Sequence, residues 1–168
     1  MDSDSIAARV AAQRAGADAR RVRFGFHERR AALDRLAAAV KAEEPAIVAA
    51  LQADFGKPAP ETVLTEILPV LQEIRHARRH LRRWMAPRRV RGSLATFGTS
   101  ARIVPQAKGT CLIIAPWNYP FLLAIGPLVS ALAAGNAAVI KPSEVTHATS
   151  ALIGRMVATC FPPDLVAV

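Results

Sequence analysis

The sequence predicts an α/β protein: a helical N-terminal lead-in, then the first βαβ units of a Rossmann-like parallel sheet, truncated as a third strand begins. Three observations predict it. Apolar residues recur every three or four positions through most of the first 85 residues. Short unbroken apolar runs of strand length stand at residues 110–115 (TCLIIA) and 137–140 (AAVI). Each run is followed by a loop and then by a segment of helix length, which is the order of a parallel sheet with helical crossovers. With 168 residues the chain fits one domain of ordinary size and leaves no room for a complete cofactor domain beside a complete substrate domain.

Taken in order, residues 6–21 and 27–40 are Ala- and Arg-rich with helical spacing, the second placing Ala31, Leu33 or Ala32, Leu36 and Val40 along one side. Both read as surface helices. A third helix, residues 45–55, has Pro45 in its first turn and is stopped by Gly56, with Pro58 and Pro60 beyond. Ile67, Val70, Leu71, Ile74, Ala77, Leu81 and Trp84 then define one amphipathic helix over residues 61–85, which Pro69 should bend. From residue 88 to 106, Gly92, Gly98, Pro105 and alternating small and β-branched residues suit short strands and turns. The strand at 110–115 leads into a loop at 116–119 and an apolar helix at 120–134, with Pro120 at its start and Gly135 just past its end. The strand at 137–140 leads into a second loop at 142–144. A helix capped by Thr146 runs to about Phe161, and residues 165–168 begin the third strand. The chain thus divides into a helical segment (1–87), an extended segment (88–108) and the start of a Rossmann-like parallel βαβ domain (109–168).

Composition narrows the function classes. Hydrophobic residues make up 52% and charged residues 21%, which excludes disorder and fibrous repeats. Cys111 and Cys160 are too few for a disulfide scaffold, and the expected setting is reducing and cytoplasmic. The first 23 residues lack an apolar signal core, and Asp2, Asp4 and Asp18 argue against a transit peptide. The most apolar stretch, residues 121–134, is shorter than a bilayer span and contains Gly126-Pro127, so it reads as a buried helix. Of the formal net charge of +9, most resides in residues 1–91, and residues 75–91 hold eight Arg and no acid, with Trp84 among them. Such a run suits phosphates and stacked bases, which makes a basic α/β module binding nucleic acid or a nucleotide the alternative function; a solvated helix face is the plainer reading. His76 and His80 stand one turn apart, but residue 77 is Ala and no third ligand is in view, so no metal site is expected.

In an open parallel sheet, ligands bind beyond the carboxyl ends of the strands, which puts the loops at 116–119 and 141–144 on the binding edge. Asn118 offers a neutral amide donor suited to an oxyanion, or is simply a turn residue. Lys141 and Glu144 can donate to and accept from sugar hydroxyls, or form a solvated pair.

These residues carry a resemblance. The stretch GTCLIIAPWNYPFLLAIGPLVSALAAGNAAVIKPSEVT (residues 109–146) is similar to the start of the cofactor domain of the aldehyde dehydrogenase superfamily. A WNYP loop follows an apolar strand, a helix ends in AAGN, and a strand runs into KPSE. Upstream, DFGKP (residues 54–58) and the helix leading to Trp84-Met85 resemble the class 3 and coniferyl-aldehyde-type branches. The resemblance spans residues 24–168. It implies that Asn118 helps hold the aldehyde oxygen and the oxyanion formed from it, that Lys141 and Glu144 bind the adenosine ribose of NAD, that Ser143 belongs to the cofactor-binding set, and that Ala115, Pro116 and Trp117 line the cofactor. A carboxylate at the ribose repels the 2′-phosphate of NADP, so Glu144 favours NAD, with NADP possible in this branch. The lack of a G-x-G-x-x-G is compatible, because the family's dinucleotide site departs from that fingerprint.

The family reaction, attack of a Cys thiolate on a small aldehyde, hydride transfer to nicotinamide and hydrolysis of the thioester by Glu-activated water, needs segments that these residues lack. There is no ELGGK-like segment with the base, no GQxC-like segment with the nucleophile and no glycine loop for the pyrophosphate. Cys111 lies inside an apolar strand and Cys160 at a helix C-terminus, whose dipole disfavours a thiolate. The expectation is therefore an N-terminal fragment of an NAD(P)-dependent aldehyde dehydrogenase, inactive by itself and homodimeric in its full-length form, with residues 96–106 as a subunit-contact ribbon.

Overall fold

The computed structural model describes residues 3–91 and 94–168. Eight α-helices and five short strands are ordered along the described chain much as the hydrophobic pattern requires. The lead-in begins with α1 (Ser3–Ala15) and α2 (Ala17–Arg23), where the sequence suggests one helix. The break is at Gly16, the residue that loses most backbone freedom in a helix. Nor are these helices merely on the surface. Gln13 is buried and its Nε2 donates to the carbonyls of Ala138 and Pro163, both at 3.1 Å. Arg20 donates to the carbonyls of Gln13, Gly109 and Asp164. The pair of helices is thereby tied to the amino ends of the sheet strands, and burial presses the Arg20 guanidinium pKa downward.

Helix α3 (Phe26–Ala42) also corrects the surface reading: Ala32, Leu33, Leu36 and Val40 are buried, Ala31 is exposed, and the helix packs against four other helices of the core. Helix α4 (Glu44–Phe55) carries Pro45 in its first turn and ends at Gly56, whose φ of +66° is the left-handed conformation that glycine adopts without strain. The next helix is interrupted rather than bent. Between α5 (Ala59–Thr62) and α6 (Leu68–Met85) lies one π-helical turn, Val63–Ile67, immediately before Pro69. Proline has no N–H to give the preceding turn and its ring crowds the carbonyl four residues back, and one wider turn relieves both. Within that turn the Thr65 hydroxyl donates to the Glu61 carbonyl at 2.8 Å. Val70, Ile74, Ala77 and Leu81 form the buried stripe of α6.

Strands β1 (Arg88–Val90) and β2 (Ala101–Ile103) pair antiparallel as a small exposed ribbon. Strands β3 (Thr110–Ile114), β4 (Ala137–Lys141) and β5 (Val166–Ala167) form a separate parallel sheet in the order β3-β4-β5, with Ile114 opposite Lys141 and Val139 opposite Ala167. Helix α7 (Pro120–Ala134) connects β3 to β4 and α8 (His147–Cys160) connects β4 to β5. The AAGN segment is structural: Gly135 closes α7 at φ +85°, and the Asn136 Oδ1 accepts the Gly109 N–H at 2.9 Å. The core lies between α3, α6, α7, α8 and the sheet, with Phe121, Leu33, Leu36, Ile74, Ile125 and Leu128 fully buried. No helix among the described residues is long and apolar enough to cross a membrane.

Candidate cofactor and oxyanion edge

Parallel pairing of β3 with β4 brings both sequence-predicted loops to one edge, since Ala115 follows Ile114 and donates its N–H to the Lys141 carbonyl at 3.0 Å. Ala115 is buried in that strand end, whereas Pro116, Trp117, Asn118 and Tyr119 are exposed beyond it. Among the described residues the Asn118 side chain has no hydrogen-bond partner, so its amide is available as a donor. In the second loop Lys141 pairs with Glu144, both solvent-accessible. The hydrogen bond from Lys141, above all other causes, holds the Glu144 carboxyl below its ordinary range. Ser143 is turned inward: its hydroxyl accepts the Val145 N–H at 3.2 Å, and its carbonyl accepts the hydroxyls of Ser150 and Thr146. It shapes the loop that carries Lys141 and Glu144.

Three residues to which the sequence reading gives no role, two of them (Asp54 and Lys57) inside the DFGKP motif, hold this edge from beneath. Helix α7 starts at Pro120, and Tyr119 at its N-cap offers no side-chain acceptor. The missing acceptor is Glu66, fully buried in the π-turn, whose Oε2 accepts the N–H groups of Phe121 (3.1 Å) and Leu122 (3.0 Å). Its Oε1 accepts from Lys57 Nζ at 2.8 Å, and Lys57 is itself only 8% exposed. The same ammonium lies 4.5 Å from the centroid of the Tyr119 ring. At α8, Thr146 occupies the N-cap without using its hydroxyl there, contrary to the sequence expectation. Asp54 does the capping, accepting from the backbone of Ala148 (3.0 Å) and Thr149 (2.8 Å) and from the Thr149 hydroxyl (2.7 Å). Signals for these residues exist in the sequence. Glu66 falls on the apolar stripe between Val63 and Val70, and Asp54 stands in the last turn of α4, where the helix dipole disfavours an acid.

Neither cysteine is placed for nucleophilic work at this edge. Cys111 is half-buried within β3, and Cys160 ends α8, where burial pushes its thiol pKa up. His80 stacks on Trp84, the His76 ring lies tilted against both, and the His80 Nδ1 lies 2.9 Å from the His76 carbonyl. Among the described residues no group of three or more His, Cys, Asp or Glu could hold a metal. Within the basic run, Arg78 pairs with Asp34 at 2.6 Å and Arg82 lies over the Phe26 ring, which fits a packed helix face.

Comparison with known proteins decides the family. The model described as "Aldehyde dehydrogenase family" matches residues 2–168. The chain belongs to the aldehyde dehydrogenase family. It is 42% identical over 144 residues to aldehyde dehydrogenase family 3 member H1 of Arabidopsis thaliana, covering 86% of this chain and 30% of the relative. It is 45% identical over 127 residues to a Pseudomonas aeruginosa protein named "Probable coniferyl aldehyde dehydrogenase", covering 75% and 27%. Superposed on the substrate-bound Staphylococcus aureus AldH structure, it gives a TM-score of 0.94 at 36% identity over 100% of this chain and 36% of that one. The chain therefore corresponds to the N-terminal portion of its relatives and spans about 30% of their length.

Proposed function

We propose that the chain supplies the N-terminal part of an NAD(P)-dependent aldehyde dehydrogenase that oxidises a small aldehyde to a carboxylic acid. The observation that carries this reading is the meeting, at one strand edge, of an unengaged amide donor on the β3–α7 loop and an ammonium–carboxylate pair on the adjacent β4–α8 loop. The donor set suits an adenosine ribose: Lys141 gives N–H groups, and the Glu144 carboxylate, held ionised by Lys141, accepts from the ribose hydroxyls. When bound, the nicotinamide cofactor takes up the hydride. Ala115, Pro116 and Trp117 would line it, and Ser143 keeps the loop that carries Lys141 and Glu144 in shape. Asn118 donates its side-chain N–H to the aldehyde oxygen and stabilises the negative charge that grows there. The thiolate and the general base lie outside these 168 residues, so the chain alone gives no turnover. The ribbon of β1 and β2, with Leu94 and Phe97 exposed on its connection, serves as the contact between subunits of a homodimer.

The test follows NADH absorbance with aliphatic and aromatic aldehydes, using the 168-residue chain and a protein of the relatives' length that carries it. Turnover by the longer protein alone supports the reading. Turnover by the short chain that vanishes in Cys111→Ser or Cys160→Ser would overturn it.

A further inference from the structure

We propose that Lys57 and Glu66 are positioning residues for the reaction: from beneath the site, they fix the loop that presents Asn118. The inference rests on the role assigned above to Asn118, and the geometry that carries it is independent of that role.

Four contacts from one short stretch reach the loop on both sides of Asn118. Phe55 packs its ring 6.5 Å from that of Trp117, immediately before Asn118. Lys57 places its ammonium over the ring of Tyr119, immediately after it. Glu66 then takes the first two free N–H groups of α7, those of Phe121 and Leu122. The π-turn is what carries Glu66 there, on the same stripe as the core residues Ile67 and Val70.

An energetic argument separates positioning from general stabilisation. Burying an ammonium and a carboxylate carries a desolvation cost that their attraction only partly offsets, and apolar residues of similar volume serve stability as well or better. A buried pair is then better explained by geometric specificity than by stability. Here the geometry is demanding. Pro120 contributes no N–H, the loop has no capping side chain of its own, and Asn118 has no hydrogen bond holding it among the described residues. The donor's place is set by its neighbours: beyond the strand-end bond of Ala115 to Lys141, Trp117 meets Phe55, Tyr119 meets Lys57, and the helix start that follows is held by Glu66. An oxyanion donor displaced by about 1 Å loses on the order of a hundredfold in rate.

The test compares Lys57→Met, Glu66→Gln and the double variant Lys57→Met/Glu66→Gln. In the family-length enzyme each single change should lower kcat roughly ten- to a hundredfold with little change in NAD affinity, and Lys57→Arg should restore part of it. The double variant removes both buried charges, so its melting temperature should recover towards wild type while its kcat does not. Recovery of both, or unchanged kcat in the single variants, overturns the proposal and leaves the pair purely structural. A second readout needs no activity. Tyr119 is the only tyrosine in the sequence, so a 3-fluorotyrosine label in the 168-residue chain gives one 19F resonance that reports Lys57 directly. That resonance and the Asn118 side-chain amide signals should shift in both single variants. Unmoved signals overturn the positioning whatever the kinetics, whereas shifted signals beside an Asn118→Ala enzyme of wild-type turnover would discard the role given to Asn118 and keep the grip on its loop.

Discussion

The two crossover helices of the sheet begin in the same way and are held differently. Each lacks a side-chain cap of its own and receives a carboxylate from the lead-in, Glu66 at α7 and Asp54 at α8. Glu66 is fully buried and neutralised by Lys57, whereas Asp54 is partly exposed and completes its bonding with the Thr149 hydroxyl. The loops ahead of them are reversed in character. The loop before α7 carries a neutral amide without a partner among the described residues, and the loop before α8 carries its own solvated ion pair. Charge is buried beneath the loop that carries the unpaired amide and left in water at the loop that carries the ion pair, which on the proposed reading separates a donor to be held still from a contact to a flexible ribose. The lead-in is therefore a support for both loops as well as a packing layer.

The sharpest way to break this comparison is to remove one member of the buried pair. Lys57→Met leaves the Glu66 carboxylate buried against two amides alone, and we expect a loss of about 3–5 kcal/mol, the usual result of orphaning one buried charge. Urea unfolding of the 168-residue chain measures it. A loss under about 1 kcal/mol would mean that water reaches Glu66 and that the two helix starts differ little.

Next in size is Asn118→Ala in the family-length enzyme. A donor that acts where charge develops should lower kcat about a hundredfold while NAD affinity holds. If affinity falls and turnover persists, Asn118 belongs with the cofactor-lining residues, and the contrast between a donor loop and a ribose loop disappears.

Asp54→Ala tests the other helix. Its three hydrogen bonds are those of an ordinary capping carboxylate, worth about 1–2 kcal/mol in the same unfolding assay. A cost equal to that of Lys57→Met would erase the distinction between the two starts.

Much of this was legible beforehand because it is written locally. The strand runs at 110–115 and 137–140, the Pro-to-Gly limits of α4 and α7 and the stripe of α6 follow from spacing and from single-residue backbone preferences. The edge holding Asn118, Lys141 and Glu144 follows from the topology of parallel sheets. What was not legible is long-range. Glu66 meets Phe121 across 55 positions and Asp54 meets Thr149 across 95. Local capping chemistry favours Thr146 at the start of α8, and a distant carboxylate, Asp54, takes its place. The π-turn is likewise a compromise between Pro69 and a buried acid, which periodicity alone reads as a bend.

The smallest expected effect is at the solvated pair. Glu144→Gln should shift the ratio of kcat/KM for NADP over NAD upward by a few-fold at most, because a fully exposed carboxylate acts through water. Its pH dependence is more telling than its size. Lys141 holds the Glu144 carboxyl below its ordinary range, so it stays ionised as pH falls from 8 towards 5 and protonates only below that window. The 2′-phosphate of NADP, a monoester with a second ionisation near about pH 6, loses one negative charge within it. Repulsion between the two should therefore weaken as pH drops through roughly 6, and the wild-type ratio of kcat/KM for NAD over NADP should fall there because the ligand, not the protein, has changed charge. In Glu144→Gln the repelling charge is absent at every pH, and the ratio should follow a flatter profile. Steady-state kinetics with both cofactors across that range decide it. Parallel profiles for the two proteins would show that Glu144 does not face the 2′ position, and the second loop would lose the ribose-binding role that sets it apart from the first.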